Sequence, residues 1–429
     1  MKRALCYAAV MAALLSSPWL AARSAFAEST DSVANETGAD RQAQIKSYSR
    51  TRNILAFVQV AWTLAALALI LFSGLSTLLR GVAESAFGHP LAARALYFGI
   101  CLGALALLQL PFSLYAGYAI EHKYRLSAQP LGGWLWEEWL GFLVALVIGV
   151  PTLCLVYWLM GRSPQHWWLW FGAASLPLAV FLVVVAPIVI DPLFNKYTPL
   201  EDRELKDRIL RMAHRHGIDA RDVYQVDKSK QTRKLNAFVT GLLGTKRIVL
   251  WDTLLEAMPP REIEAVMAHE MGHYVKRHVW YGVLTAVGII SLTALLVSRI
   301  APVVVSHLPT RLGVGGVDDV AGFPLLALLA VVIGFLLGPA GNAASRHIET
   351  QADLHCLEVT QDPEATIASF RRLSEANLSD PEPPPFVEFW LYSHPSLAKR
   401  IAAAERYARE HRIPLSHAQP AAELHEPAP

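Results

Sequence analysis

Six long apolar runs, near 54–79, 91–115, 138–160, 166–190, 279–298 and 322–344, limit the possible folds of this chain more than any other feature. Each is long enough to cross a hydrocarbon core on the order of 30 Å thick as a helix. In lipid, every backbone N–H and C=O must find its partner within the spanning structure, so such runs are read as helices. The composition agrees, because 53% hydrophobic and 17% charged residues lie outside the range of soluble domains. The chain therefore reads as a mainly α-helical polytopic membrane protein. Pro111, Pro151, Pro177 and Pro187 interrupt some runs, which spans tolerate where neighbouring helices or water satisfy the freed carbonyls. A formal net charge of +2 without a basic tract implies no nucleic-acid partner. Cys6, Cys101, Cys154 and Cys356 show no CxxC spacing, so neither a disulfide framework nor a Cys metal site is predicted.

The opening resembles a secretion signal, with Lys2-Arg3, a short apolar core and Ala25-Phe-Ala27 before Glu28. An uncleaved first span is the alternative. The organisation read from the chain is a signal or span at 1–27, a loosely held polar segment at 28–53 and a four-span membrane domain at 54–190. A catalytic section at 191–408 carries the two further spans, 279–298 and 322–344, and a disordered tail follows at 409–429. Between the fourth and fifth spans the pattern predicts a helix over 201–216 and strands around 223–226, 237–239 and 247–251. A signal-like start puts both polar sections outside the cytoplasm. Their Lys and Arg content favours the inside, and the sequence leaves the side open.

Residues 269–273 read His-Glu-Met-Gly-His. On a helix His269 and His273 lie four apart on one face and can offer two imidazole nitrogens to one zinc ion. Glu270 is one step round and can reach a water on the metal without ligating it, as a general base requires. The bland alternative is a surface helix with two solvated histidines. Apolar Ile263, Val266, Met267, Met271 and Tyr274 place the motif within a partly buried helix instead, and Pro259-Pro260 suits its start. Gly272 weakens that helix by about 1 kcal/mol relative to Ala, which is explicable if something passes close to its backbone.

A catalytic zinc needs a third protein ligand. After the sixth run the chain reads Gly341-Asn342-Ala-Ala-Ser345-Arg346-His347-Ile-Glu349-Thr-Gln-Ala352-Asp353. Glu349 and Asp353 share a helical face, and the small Ala352 would let another helix approach. Glu349 can ligate, while Asp353 can accept a hydrogen bond from a ligating imidazole. The competing reading makes Arg346, Glu349 and Asp353 a surface ion-pair ladder. His347 falls on the opposite face from Glu349. His278, nine residues past His269, falls half a turn away on a continuous helix and is not expected to share the metal.

Glu264-Ala-Val-Met-Ala-His269-Glu270-Met-Gly-His273 together with Asn342-x-x-Ser345-Arg346-x-x-Glu349-x-x-Ala352-Asp353 resembles the type 1 CAAX prenyl proteases and their bacterial relatives, integral-membrane gluzincin metalloendopeptidases. Other stretches agree: Pro111–Tyr115 with Ile120-Glu121, Asp191–Pro199, Asn236-Ala237-Phe238, Lys246–Leu255, and Ser393-His394-Pro395-Ser396 with Arg400. The resemblance implies a small α/β zincin-type catalytic domain, one Zn2+ per chain held by His269, His273 and Glu349, and Glu270 as general acid/base. It further implies that Asp353 supports proton transfer or orients a ligand. Asn236, Ala237 and Phe238 would form the strand on which substrate pairs, and His394 and Arg400 would steady the oxyanion. It also implies a site in a bacterial inner membrane and peptide or protein substrates, membrane-associated ones among them. The Lys123–Ser127 stretch and the signal-like opening depart from the family pattern. A quality-control endopeptidase without a prenyl substrate shares all of this chemistry. A non-catalytic transporter or scaffold with structural zinc would have no use for Glu270.

Overall fold

The computed structural model describes residues 38–241, 246–308 and 312–416. The signal-like opening lies outside them. Among the described residues, six helices are long and apolar enough to cross a membrane, as expected, but several boundaries move.

Helix α1, Gly38–Phe72, begins well before the first apolar run. The second half of the segment expected to be loosely held is thus helical, because Ile45 and Tyr48 are buried against Ile120, Tyr124 and Leu378. The same run ends early. Gly74 adopts φ 79°, a left-handed conformation that glycine takes without Cβ strain, and α2, Leu75–Ala86, starts a new direction. Helix α3, Pro90–Ser113, passes through a wide π turn at Leu114–Ala119 three residues after Pro111. Helix α4 is Leu131–Arg162, and α5, Trp167–Val185, meets a second π turn at Ala186–Ile190, which contains Pro187. A proline lacks the N–H for the ladder and crowds the preceding turn, and local widening accommodates it.

A small mixed sheet follows. Strands β1 (Tyr197–Pro199), β2 (Val223–Val226), β3 (Ala237–Thr240) and β4 (Arg247–Trp251) take the order β1-β2-β4-β3. The first of these was not anticipated; its three residues are too few to show a period. Strands β2 and β4 run parallel, and the edge strand β3 runs antiparallel to β4 with Ala237 opposite Leu250. Helix α6, Arg203–Arg215, is capped by Asp202, which accepts from the Leu205 amide. Its Ile209 belongs to one buried cluster with Val223, Ile248, Val249 and Leu250 of the sheet and Ile263, Met267 and Met271 of the helix beyond.

After α7 (Asp252–Ala257) comes α8, Pro260–Val275, which carries His269 to His273. Helix α9, His278–His307, starts after a break at Arg277. Helix α10, Phe323–Thr360, is one continuous element that runs from an apolar half into the half bearing Glu349 and Asp353. The boundary expected at 344 marks a change of environment and not of backbone. This last spanning helix is the most enclosed: 61% of its apolar window is buried inside the protein, against 28–39% for the others, so it forms the axis of the bundle. Leu107, Val147, Phe181 and Leu336 are exposed apolar residues on the spanning helices, as expected of helices that lie in lipid rather than water. Helices α11 (Pro363–Ala376), α12 (Pro385–Leu391) and α13 (Leu397–Glu410) close the C-terminal side. Beyond α13, Ile413 and Leu415 pack on Leu357, Ile367 and Tyr407. The described start of the expected disordered tail is therefore docked.

Candidate metal centre

The site forms where α8 lies against α10. Close approach needs small side chains, and Ala265, Ala268, Cys356 and Ala365 form one buried cluster between these helices and α11. Gly272 meets Ala352 in the same seam. The helix pair brings His269 and His273 of α8 up to Glu349 of α10, all three buried. One ligating atom from each lies within 4.8 Å of the others.

The finer distances describe a pocket for a cation. The Nε2 atoms of His269 and His273 face each other at 3.2 Å. Glu349 Oε2 is 3.3 Å from His269 Nε2, and Oε1 is 3.7 Å from His273 Nε2. Two nitrogens that ligate one tetrahedral zinc at about 2.0–2.1 Å stand about 3.3 Å apart, so the observed spacing fits that ion. Glu349 Oε2 is moreover buried with no hydrogen-bond partner among the described residues, an arrangement native structures avoid unless an ion or water completes it. Burial disfavours a charged imidazole at His269, yet Asp353 and Glu349 outweigh it and hold its pKa up at about 9. At His273 burial, with His269 beside it, drives the pKa down to about 2.

The groups around this core are ordered. Asp353 Oδ1 lies 2.8 Å from His269 Nδ1, on the ring edge away from the core. Arg400 grips the same carboxylate in a fork, with Nε to Oδ2 at 2.8 Å and Nη2 to Oδ1 at 2.5 Å, and its guanidinium sits 3.9 Å from the Phe370 ring centroid. Arg400, expected to steady an oxyanion, therefore has Asp353 as its partner. His394 Nε2 is 3.0 Å from Glu349 Oε1, and its Nδ1 lies 2.9 Å from Ser393 Oγ. The surface-ladder reading does not hold: Arg346 gives its Nη1 to the carbonyls of Glu388 and Tyr392, at 3.1 and 2.8 Å, and Asn342 Nδ2 gives to Trp390 O at 2.7 Å. Together they pin the backbone that leads into His394. Nothing in residue spacing pointed to that link, since its partners are carbonyls more than 40 positions away. His347 is exposed and outside the cluster.

A cleft of about 430 Å³ opens over the core, lined by His269, Glu270, His273 and Glu349 on the floor and His394 and Tyr392 on one side. The other side is β3 with its approach, Asn236, Ala237 and Phe238. Glu270 is half-buried at this cleft. Trp251 N donates to Asn236 O at 3.1 Å, so in the antiparallel alternation the next residue, Ala237, turns its N–H and C=O away from β4 to the open edge. The arrangement combines a cation site, an adjacent carboxylate and an unpaired strand edge beside them.

Comparison with known proteins agrees with this geometry. Residues 199–408 match the model of peptidase family M48, and residues 24–196 match that of the CAAX prenyl protease N-terminal region with its five membrane helices. The chain is 34% identical over 365 residues to the uncharacterized metalloprotease YhfN of Bacillus subtilis (strain 168), covering 85% of each protein. It is 30% identical over 333 residues to CAAX prenyl protease 1 of Saccharomyces cerevisiae, covering 72% of this chain and 71% of that relative. In fold it is similar to the crystal structure of S. mikatae Ste24p, with a TM-score of 0.73 at 23% identity over 94% of this chain and 96% of that one.

Proposed function

The chain belongs to peptidase family M48 and is a membrane metalloprotease, and from that premise we propose that it hydrolyses internal peptide bonds using one zinc ion held by His269, His273 and Glu349. The observation that carries this reading is the buried grouping of the two imidazole Nε2 atoms with the Glu349 carboxylate, whose Oε2 faces His269 and makes no hydrogen bond among the described residues. Zinc bound there would supply Lewis acidity, making water acidic enough to deprotonate near neutral pH and polarising a carbonyl.

The chain's own residues do the rest. Glu270, next to a ligand but on the cleft side, accepts the proton of the attacking water and returns it to the leaving amine. His394, whose Nε2 lies 3.0 Å from Glu349 Oε1, turns from that carboxylate to donate to the oxygen on which charge develops, an effect worth roughly 2.7–4 kcal/mol per donor in other proteases. Asp353, backed by Arg400, accepts from His269 Nδ1 and so keeps the Nε2 lone pair directed at the metal. The substrate adds to the edge of β3 as an extended strand, which fixes its scissile bond over the floor.

Several relatives bear the name CAAX prenyl protease 1, and that substrate class is the first to test here. The purified protein would be given a farnesylated CAAX peptide and unmodified casein, each with wild type and Glu270→Gln. The reading expects zinc at one per chain in both proteins and cleavage lower by several orders of magnitude in Glu270→Gln. Wild-type-like cleavage by that variant would sink the scheme. Cleavage of casein alone would leave the chemistry and assign the chain to quality control.

A further inference from the structure

The histidine that a continuous helix would carry away from the metal is returned to it by a single backbone reversal. Helix α8 stops at Val275, and Arg277 takes φ 57°, left-handed for a residue with a Cβ. Such a conformation persists only where the surroundings impose it. Its consequence is that α9 begins with His278 folded back beside His273, at 1% exposure. His278 Nδ1 is 3.2 Å from His273 Nδ1, on the ring edge opposite the Nε2 that faces Glu349. His278 Nε2 is 2.9 Å from Gln351 Oε1, and Gln351 Nε2 is 2.9 Å from His347 Nε2.

With the Gln351 amide oxygen turned to His278, the direction of each hydrogen bond follows by elimination. The amide oxygen of Gln351 can only accept, so His278 Nε2 carries the hydrogen and donates. A neutral His278 then has a bare Nδ1, which can only accept from His273 Nδ1–H. His273 is left with its hydrogen on Nδ1 and a free lone pair on Nε2, the tautomer a metal ligand needs. In the same orientation the Gln351 NH2 donates to His347 Nε2. Every link runs in one sense, from α8 through the first turn of α9 to the exposed face of α10.

We propose that His278 is a positioning residue for the metal: it selects the Nε2-ligating tautomer of His273 and locks its ring, with Gln351 holding His278 in turn. This does for His273 what Asp353 does for His269. The inference rests on the zinc reading above and adds a residue that never touches the ion.

The test uses the shapes of amides. Asn at 278 can put an oxygen where Nδ1 of His sits, whereas Gln reaches only the Nε2 position. Zinc affinity of the purified full chain would be measured by chelator competition for wild type, His278→Asn, His278→Gln, His278→Ala and His273→Ala, with thermal unfolding recorded alongside. Loss of such a partner costs roughly 10–100-fold in metal affinity. That loss is expected for His278→Gln and His278→Ala, with His278→Asn within about threefold of wild type. Equal weakening in the Asn and Gln variants would overturn the tautomer role, as would unchanged affinity in His278→Ala. If His273→Ala also keeps wild-type affinity, the zinc assignment itself fails; if it loses zinc while His278→Ala does not, only the positioning role is lost.

Discussion

A β-carbon built on Gly272 would stand 3.3 Å from the α-carbon of Ala352, and 3.0 and 3.1 Å from Cδ2 and Cβ of His355. The two helices that share the metal site thus touch backbone to backbone, one residue from His273 on one side and three from Glu349 on the other. Gly272→Ala gains about 1 kcal/mol of helix propensity but overpacks a seam that backbone atoms cannot leave, at a cost of about 1–3 kcal/mol. The expected outcome is a protein destabilised by about 1 kcal/mol with weaker zinc binding, read by thermal unfolding and metal competition. Stabilisation with unchanged zinc affinity would show that the seam has slack.

Removing the third ligand separates metal from fold. In Glu349→Ala the α8–α10 seam keeps its small residues, so the chain should fold, while zinc content by metal analysis drops to the level of chelator-treated wild type. Zinc added back should restore activity to the treated wild type but not to the variant. Full occupancy in Glu349→Ala would move the third ligand elsewhere. His347→Ala, on the exposed face, should retain its metal.

Helical spacing explains why this much of the site was legible. His269 with His273, and Glu349 with Asp353, are each four apart, so periodicity alone put each pair on one face. The strands at 223–226, 237–240 and 247–251 appear where β-branched and apolar residues cluster. Contacts made across the chain carry no such period. Arg346 binds carbonyls of a segment more than 40 residues away, and Arg400 meets a carboxylate 47 positions earlier. His278 stays out of the ligand group, as expected, but its place beside His273 was not legible, because the left-handed backbone at Arg277 breaks the helix between them. The first helix likewise ends at Gly74 inside an apolar run, because hydrophobicity reports lipid and core but not direction.

Buried Asp353 and half-buried Arg400 form a forked ion pair, and removing either partner strands the other's charge. Asp353→Ala and Arg400→Ala should each lose about 3–5 kcal/mol, measured by denaturant unfolding. The double variant should lose less than the sum, because no unpaired charge remains. Strict additivity would mean that the pair contributes nothing as a pair. Arg400→Lys should recover only part of the loss, since an ammonium cannot span both carboxylate oxygens.

The open edge at Ala237 makes a prediction about the substrate. If a peptide pairs with β3, alternate substrate amides face the strand and the intervening ones point away. N-methylation of a facing amide removes about 1 kcal/mol of hydrogen bonding, roughly a fivefold fall in kcat/KM, and adds a steric clash. N-methylation of its neighbours should matter far less. A series of peptides methylated at successive positions should therefore show a loss of kcat/KM with a period of two across the residues flanking the cut. The pattern should survive changes of side chain, because the contact is backbone to backbone. A flat profile, or one that follows side-chain identity, would mean that the edge of β3 is not where the substrate lies.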